Sequence, residues 1–160
     1  DIGVNNLKKE AQKRGVEPDR IIFADKMSND EHLARHRLAD LFIDTFPYTA
    51  HTTCSDALWS SLPVVTRIGQ SFASRVSASL LTAIGLSELI TKTEKEYEEL
   101  IFKIANNKSL LNEIKKRLHK NRLIKPLFNT KLFTKNIESA FVIMHERYRS
   151  NILVKNIEIK

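Results

Sequence analysis

The sequence predicts an α/β fold: a doubly wound parallel sheet followed by a helical C-terminal third. Three observations lead there. Short continuous apolar runs, Ile21-Ile22-Phe23, Leu41-Phe42-Ile43 and Pro63-Val64-Val65-Thr66, recur along the first half of the chain. Each is followed by a loop and then by a stretch with apolar residues at helical spacing. Continuous rather than alternating strands are buried on both faces, as in a parallel sheet covered by helices. Beyond Ile90 only the helical period persists.

Taken in order, residues 5–14 read as a short helix closed by Gly15, and Pro18-Asp19 as a turn. Residues 20–24 read as a strand, and Ser28 or Asn29 as the cap of a helix over 30–37. The unit recurs as strand 41–43, loop 45–50 and helix 52–60, then as strand 63–66, loop 67–71 and helix 72–84. Glu88-Leu89-Ile90 offers one more short strand. Helices follow over 94–105, 109–122 and 131–149, each with apolar residues three and four apart. The tail, 152–159, alternates weakly and reads as an edge strand or a frayed end. We expect one domain over residues 1–150 and a tail over 151–160.

Composition narrows the function classes. With 42% apolar and 28% charged residues in 160, the chain is globular in type and large enough for one real core. The longest apolar runs, such as 80–86, fall far short of the ~20 residues of a membrane span, and no charged-then-apolar signal segment opens the sequence. The expectation is a cytoplasmic protein without a membrane partner. The lone Cys54 forms no internal disulfide, has no companions for a metal cage and reads as a packed helix residue; no metal-ligand set is visible. A net charge of +7 calls for an anion, whether nucleic acid, membrane or phosphate. The most basic stretch, Lys115, Lys116, Arg117, Lys120, Arg122 and Lys125, lies on a helical pattern whose buried side is Leu110, Ile114, Leu118 and Leu123. It reads as a solvated face, and no interleaved aromatics offer stacking for bases.

Ligands of doubly wound sheets bind at the carboxyl ends of the strands. His51-Thr52-Thr53 falls there, where a helix begins: free N–H groups, the helix dipole and two hydroxyls suit a phosphate. Asp56, one turn on, suits a ribose diol. Each residue also fits a plainer role: the threonines as caps, Asp56 as a dipole-offsetting charge, His51 as a loop histidine. In the preceding loop His32 and Arg35 lie three apart on a helix, suited to stacking on a base and bonding its edge, or equally to a charged surface helix that also holds His36 and Arg37.

These residues belong to a longer pattern. Leu38-Ala39-Asp40, Asp44-Thr45-Phe46-Pro47-Tyr48, His51-Thr52-Thr53, Ser55-Asp56-Ala57-Leu58-Trp59, Leu62-Pro63-Val64-Val65-Thr66, Phe72-Ala73-Ser74-Arg75-Val76 and Pro126-Leu127-Phe128-Asn129-Thr130 resemble the signature of the O-linked N-acetylglucosamine transferase/SPINDLY family of protein O-glycosyltransferases. The resemblance spans residues 5–148. It implies two Rossmann-like halves facing across a cleft, the GT-B arrangement, usually preceded by tetratricopeptide repeats, with this chain matching the later part of the C-terminal half.

It also implies roles. His32 matches the position that stacks on the uracil, Arg35 one at the base edge, and Met27 one that reads the base through its backbone. Thr52 and Thr53 match the diphosphate contacts, His51 the neighbouring pocket wall, and Asp56 the ribose carboxylate. Asn29 stands where animal members carry a nucleoside-contacting lysine, and Thr49 where asparagine is common. No catalytic residue or general base is assigned. The implied reaction is inverting transfer of a sugar, N-acetylglucosamine from UDP-GlcNAc foremost, to Ser or Thr of an acceptor protein, with a UDP- or GDP-sugar as donor and no further cofactor. The family places a lysine that neutralises the leaving diphosphate before the position matching residue 1, together with an acceptor-binding half. Without that cation the rate falls by about a hundredfold or more, so the chain alone is expected to be nearly inactive. In the family's sheet order the strands at residues 20 and 40 are separated by two others, so the rest of the protein, a partner chain or a rearranged pairing, the tail after Ser150 among the candidates, is expected to supply the contacts there. Two other readings stand: a noncatalytic nucleotide-sugar-binding or assembly module, and a nucleic-acid-binding protein resting on charge alone.

Overall fold

The computed structural model describes residues 2–159. Backbone contacts divide the chain into two compact units, Asp1–His32 and Leu33–Lys160.

In the first unit α1 (Ile2–Lys13) runs into Gly15, whose φ of 74° is the left-handed conformation that closes helices. A 3₁₀ turn, Pro18–Arg20, follows. The strand expected over 20–24 does not form. These residues pair with no strand among the described residues, and Ile22 is 87% exposed. A β-branched run has strand propensity, but a strand exists only as half of a ladder. Ser28, not Asn29, caps α2 (Asn29–Arg35): the Ser28 Oγ accepts from the Glu31 N–H at 3.4 Å, and the Glu31 carboxylate accepts from the Ser28 N–H at 3.2 Å. The Ser28 hydroxyl, which donates to the Glu31 carboxylate at 2.8 Å, and secondarily the Ser28 N–H hold the Glu31 carboxyl below its usual range. None of the described residues of this unit is buried.

In the second unit, β1 (Phe42–Ile43), β2 (Val64–Arg67) and β3 (Ile90–Thr91) form an all-parallel sheet in the order β1-β2-β3. Phe42 pairs with Val64, and Thr66 with Ile90. β2 is central, and Val64, Val65 and Thr66 are fully buried. On it pack α3 (Thr52–Trp59), α4 (Val76–Ala83) and α5 (Glu94–Ala105), with α6 (Lys108–Ile124) against α3 and α5. The core joins Cys54, Ala57 and Leu58 of α3 to Leu81 of α4, Ile104 of α5 and Leu111, Ile114 and Leu118 of α6. The parallel α/β architecture expected from the sequence is the one found.

Several boundaries differ from expectation: α1 starts at Ile2 rather than Asn5, and α2 ends at Arg35 rather than Arg37. α4 starts at Val76 rather than Phe72, because Gly69–Ser74 closes a turn in which the Gly69 N–H donates to the Ser74 carbonyl at 2.9 Å. The last strand lies at 90–91, since Ser87–Leu89 is a 3₁₀ turn. Leu123 is 69% exposed; the buried side of α6 ends on Asn121, whose Nδ2 donates to the Ile84 carbonyl at 2.9 Å just before Gly85, where φ is 76°. Lys116, Arg117 and Lys120 are exposed, as a solvated face requires, while Lys115 pairs with Asp40 at 2.7 Å. The long α7 (Thr130–Arg149) has no buried residue, and the tail beyond it makes no strand among the described residues.

Candidate functional site

β1 ends on Ile43, and the next residue, Asp44, turns a carboxylate into the protein, leaving it 5% exposed. Its Oδ1 accepts from the N–H of Thr45 at 2.9 Å and of Ala50 at 2.8 Å, and its Oδ2 from the Thr66 hydroxyl of β2 at 2.7 Å. The Tyr97 hydroxyl of α5 donates to the Asp44 carbonyl. Burial, and secondarily the Asp44 charge, push the Tyr97 hydroxyl up to about 12, so it stays a donor. A buried carboxylate is tolerated when several donors converge on it, as they do here.

The loop that Asp44 closes is held from its other side by the segment leading into α4. Thr49, fully buried, gives both its N–H (3.0 Å) and its hydroxyl (2.8 Å) to the Ala73 carbonyl. The Ser77 hydroxyl donates to the Ala50 carbonyl at 2.6 Å. Gly69 is required beneath this segment, because a Cβ there would lie 2.4 Å from the Ser74 Oγ.

The loop delivers the chain to His51, the residue before α3. The His51 carbonyl accepts from the N–H of Cys54 at 3.1 Å and of Ser55 at 3.2 Å, so the N–H groups of Thr52 and Thr53 precede the first helical bonds. Both threonines are exposed, and neither acts as cap; His51 makes no side-chain cap bond either. Its ring stacks on Tyr48, centroids 4.8 Å apart at 16°, and meets the edge of Phe72 at 5.9 Å. The Arg67 guanidinium lies 4.2 Å from the centre of the Phe46 ring. A cleft of about 400 Å³ opens at this carboxyl end of β1, lined among others by Asp44, Tyr48, His51, Thr52 and Thr53. Chemically it offers helix-terminal N–H groups, two hydroxyls and an imidazole, a donor set that suits an anion.

Of the residues singled out in the sequence, His51, Thr52 and Thr53 come together in this cleft. Asp56 lies one turn further along α3, half-buried, and is not among the residues lining the cleft. Asn29, His32 and Arg35 lie on α2, and Met27, 47% exposed, precedes it. Met27, Asn29 and His32 belong to the first unit, and Arg35 to the second. The supporting residues Asp44, Thr66, Ser77 and Tyr97 have no role in the sequence motifs: the bonds that tie Thr66, Ser77 and Tyr97 to the site join residues between 22 and 53 apart along the chain. Only Asp44 carried a signal: a carboxylate directly after an apolar strand, at the end where ligand loops begin. Thr49, the departure from the asparagine common in the resembled family, is turned inward and helps anchor the loop.

The sequence model of glycosyl transferase family 41 matches residues 1–137. The chain belongs to glycosyl transferase family 41. Among other members, the Arabidopsis thaliana protein named "Probable UDP-N-acetylglucosamine–peptide N-acetylglucosaminyltransferase SEC" is 40% identical over 135 residues, 84% of this chain and 14% of its own length. The UDP-N-acetylglucosamine–peptide N-acetylglucosaminyltransferase of Caenorhabditis elegans is 33% identical over 155 residues, 97% of this chain and again 14% of its own. The chain thus spans about one-seventh of these family 41 relatives. A solved structure of a Thermobaculum terrenum O-GlcNAc transferase mutant superposes with a TM-score of 0.82 at 29% identity, over 88% of this chain and 27% of that one. The fold expected from the resemblance, part of a GT-B glycosyltransferase, is therefore the fold of this family 41 chain.

Proposed function

We propose that this chain is the nucleotide-sugar-binding part of an inverting protein O-glycosyltransferase, which moves N-acetylglucosamine from UDP-GlcNAc to Ser or Thr of an acceptor protein in the cytoplasm. The observation that carries the reading is the His51-Thr52-Thr53 turn. It opens α3 at the carboxyl end of a parallel strand, with exposed hydroxyls and helix-terminal N–H groups facing a cleft, in a family 41 chain. Such a terminus stabilises a diphosphate both in the bound donor and as it departs.

In this reading Thr52 and Thr53 hold the diphosphate, His51 lines the pocket, and Asp56 takes the ribose hydroxyls. Met27, Asn29, His32 and Arg35 serve the base and nucleoside. The acceptor hydroxyl attacks from the face opposite the departing diphosphate. Acceptor-binding elements, the diphosphate-neutralising lysine and tetratricopeptide repeats belong to the rest of such an enzyme, and the donor sugar is its only small-molecule partner.

Calorimetric titration with UDP and with GDP tests the site. Saturable binding of UDP is expected, and it should weaken by at least about tenfold in Asp56→Ala and in the Thr52→Ala/Thr53→Ala double variant, a loss of one or more hydrogen bonds to charged groups. Binding that those variants leave unchanged would refute the assignment. A preference for GDP would point to a different donor base. Turnover of the donor by the full-length protein separates the enzyme from a noncatalytic binding module.

A further inference from the structure

One carboxylate in the cleft has no part in the donor contacts assigned above and lies where simple electrostatics disfavours it. Asp44 is buried at the base of a site read as binding a diphosphate. A negative charge there repels the ligand, so its presence calls for a different role.

Its contacts indicate that role. A single oxygen, Oδ1, receives the first N–H of the loop, from Thr45, and the last, from Ala50; the other oxygen is fixed by Thr66 on the neighbouring strand. The residue after Ala50 is His51, and the next two are the threonines at the helix terminus. We propose that Asp44 is a positioning residue: its carboxylate ties both ends of the 45–50 loop to the sheet and thereby sets where the Thr52 and Thr53 donors stand. The proposal rests on the reading of this cleft as the diphosphate site.

The two roles of the carboxylate, charge and hydrogen bonding, separate cleanly by substitution. Asp44→Asn keeps a carbonyl oxygen for the Thr45 and Ala50 N–H groups and offers an amide N–H to the Thr66 hydroxyl, which can accept it. The charge goes and the bond to Thr66 reverses direction, while both loop N–H groups keep their acceptor. Asp44→Ala removes the charge and every one of those side-chain bonds, leaving two loop N–H groups without their partner. If charge were all that mattered, both variants would bind the diphosphate more tightly. If position matters, Asp44→Ala binds it more weakly and Asp44→Asn does not.

The experiment is a titration of the full chain and both variants with UDP and with UMP, with circular dichroism to confirm the fold. The expected result is a loss of at least about tenfold in UDP affinity for Asp44→Ala, the scale of one lost buried bond. UMP, which lacks the second phosphate, should lose less, and Asp44→Asn should stay within about threefold of the parent for UDP. A change confined to general stability would move both nucleotides together. Folded Asp44→Ala that binds UDP as well as the parent, or Asp44→Asn as weak as Asp44→Ala, overturns the proposal while leaving the site reading intact, because the parent still binds UDP. A parent chain that binds neither UDP nor GDP overturns the site reading and this proposal with it. Should Asp44→Ala not fold, amide exchange decides. Protected Thr45 and Ala50 amides in both the parent and Asp44→Asn, with UDP affinity retained, uphold the role, and rapid exchange of the Ala50 amide in the folded parent overturns it.

Discussion

Cys54 shows how far one residue's chemistry depends on its surroundings. It lies on α3 two residues beyond Thr52, next to the cleft in sequence, yet its side chain is fully buried in the core. Burial is the main influence on its thiol; the Ser77 hydroxyl opposes it and the Asp44 charge adds to it, and the result is pushed up to about 12. The thiolate is the reactive form, so Cys54 is inert in the native protein. At pH 8 a thiol reagent should label it only as fast as the chain unfolds; labelling at the rate of a free thiol would contradict the packing. The linkage has a definite sign. A free thiol titrates near ~8.5, below the folded value, so the native state holds this proton more tightly. The associated stability is fully present below about pH 8.5 and is lost as pH rises toward 12. Cys54→Ala should flatten that part of the alkaline decline, measured as denaturant midpoint against pH. The sequence suggested the packed role of Cys54 correctly, but not that it shares its surroundings with Asp44.

At the scale of elements, local sequence signals are clearest where the partners are neighbours in the chain. α5 runs over Glu94–Ala105, the bounds its apolar spacing indicated. Its start is a capping box: Thr93 Oγ1 accepts from the Glu96 N–H at 3.1 Å, and the Glu96 carboxylate accepts from Lys92 N–H at 2.8 Å and Thr93 N–H at 3.1 Å. Those backbone donors, that of Lys92 foremost, hold the Glu96 carboxyl below its usual range. α5 also carries Tyr97, which reaches the Asp44 carbonyl, so a change at its start bears on the cleft through the fold. Thr93→Ala should cost about 1 kcal/mol in a urea unfolding experiment, the ordinary worth of a cap. A loss under ~0.3 kcal/mol would mean that tertiary packing alone sets this terminus. Elements defined by distant partners are less legible in the sequence. Residues 20–24 carry strand-forming side chains without a ladder, and residues 72–75 carry helix-compatible ones held in a turn by Gly69 and Ser74.

At the scale of the whole molecule, burial is unevenly shared. Every buried residue described lies in the Leu33–Lys160 unit, and none in Asp1–His32. Hydrophobic stabilisation follows area removed from water, so it resides in the second unit. Leu58, fully buried on α3, should cost about 2–5 kcal/mol when changed to Ala, whereas Leu7, 56% exposed on α1, should change stability by less than ~0.5 kcal/mol. Equilibrium denaturation of the two variants checks this, and equal losses would show that the first unit holds a core of its own. The apolar side chains left exposed on α7, Phe133, Phe141, Met144 and Tyr148 among them, belong to a helix with no buried residue. Among the described residues the buried core lies beyond His32, and neither length nor composition carries a signal for that confinement.

The sequence by itself determined the α/β class, the order of helices and strands from Leu41 to Arg149, and the turn at His51-Thr52-Thr53. Those follow from periodicity, capping residues and motif spacing, which act over a few residues at a time. Tertiary structure alone decided which apolar runs became strands, since a ladder needs a second chain segment. It alone joined Asp44 to Thr66 and Tyr97, and Thr49 and Ser77 to the residues opposite them, because a buried hydrogen bond forms wherever the fold brings donor to acceptor, whatever their separation in the chain.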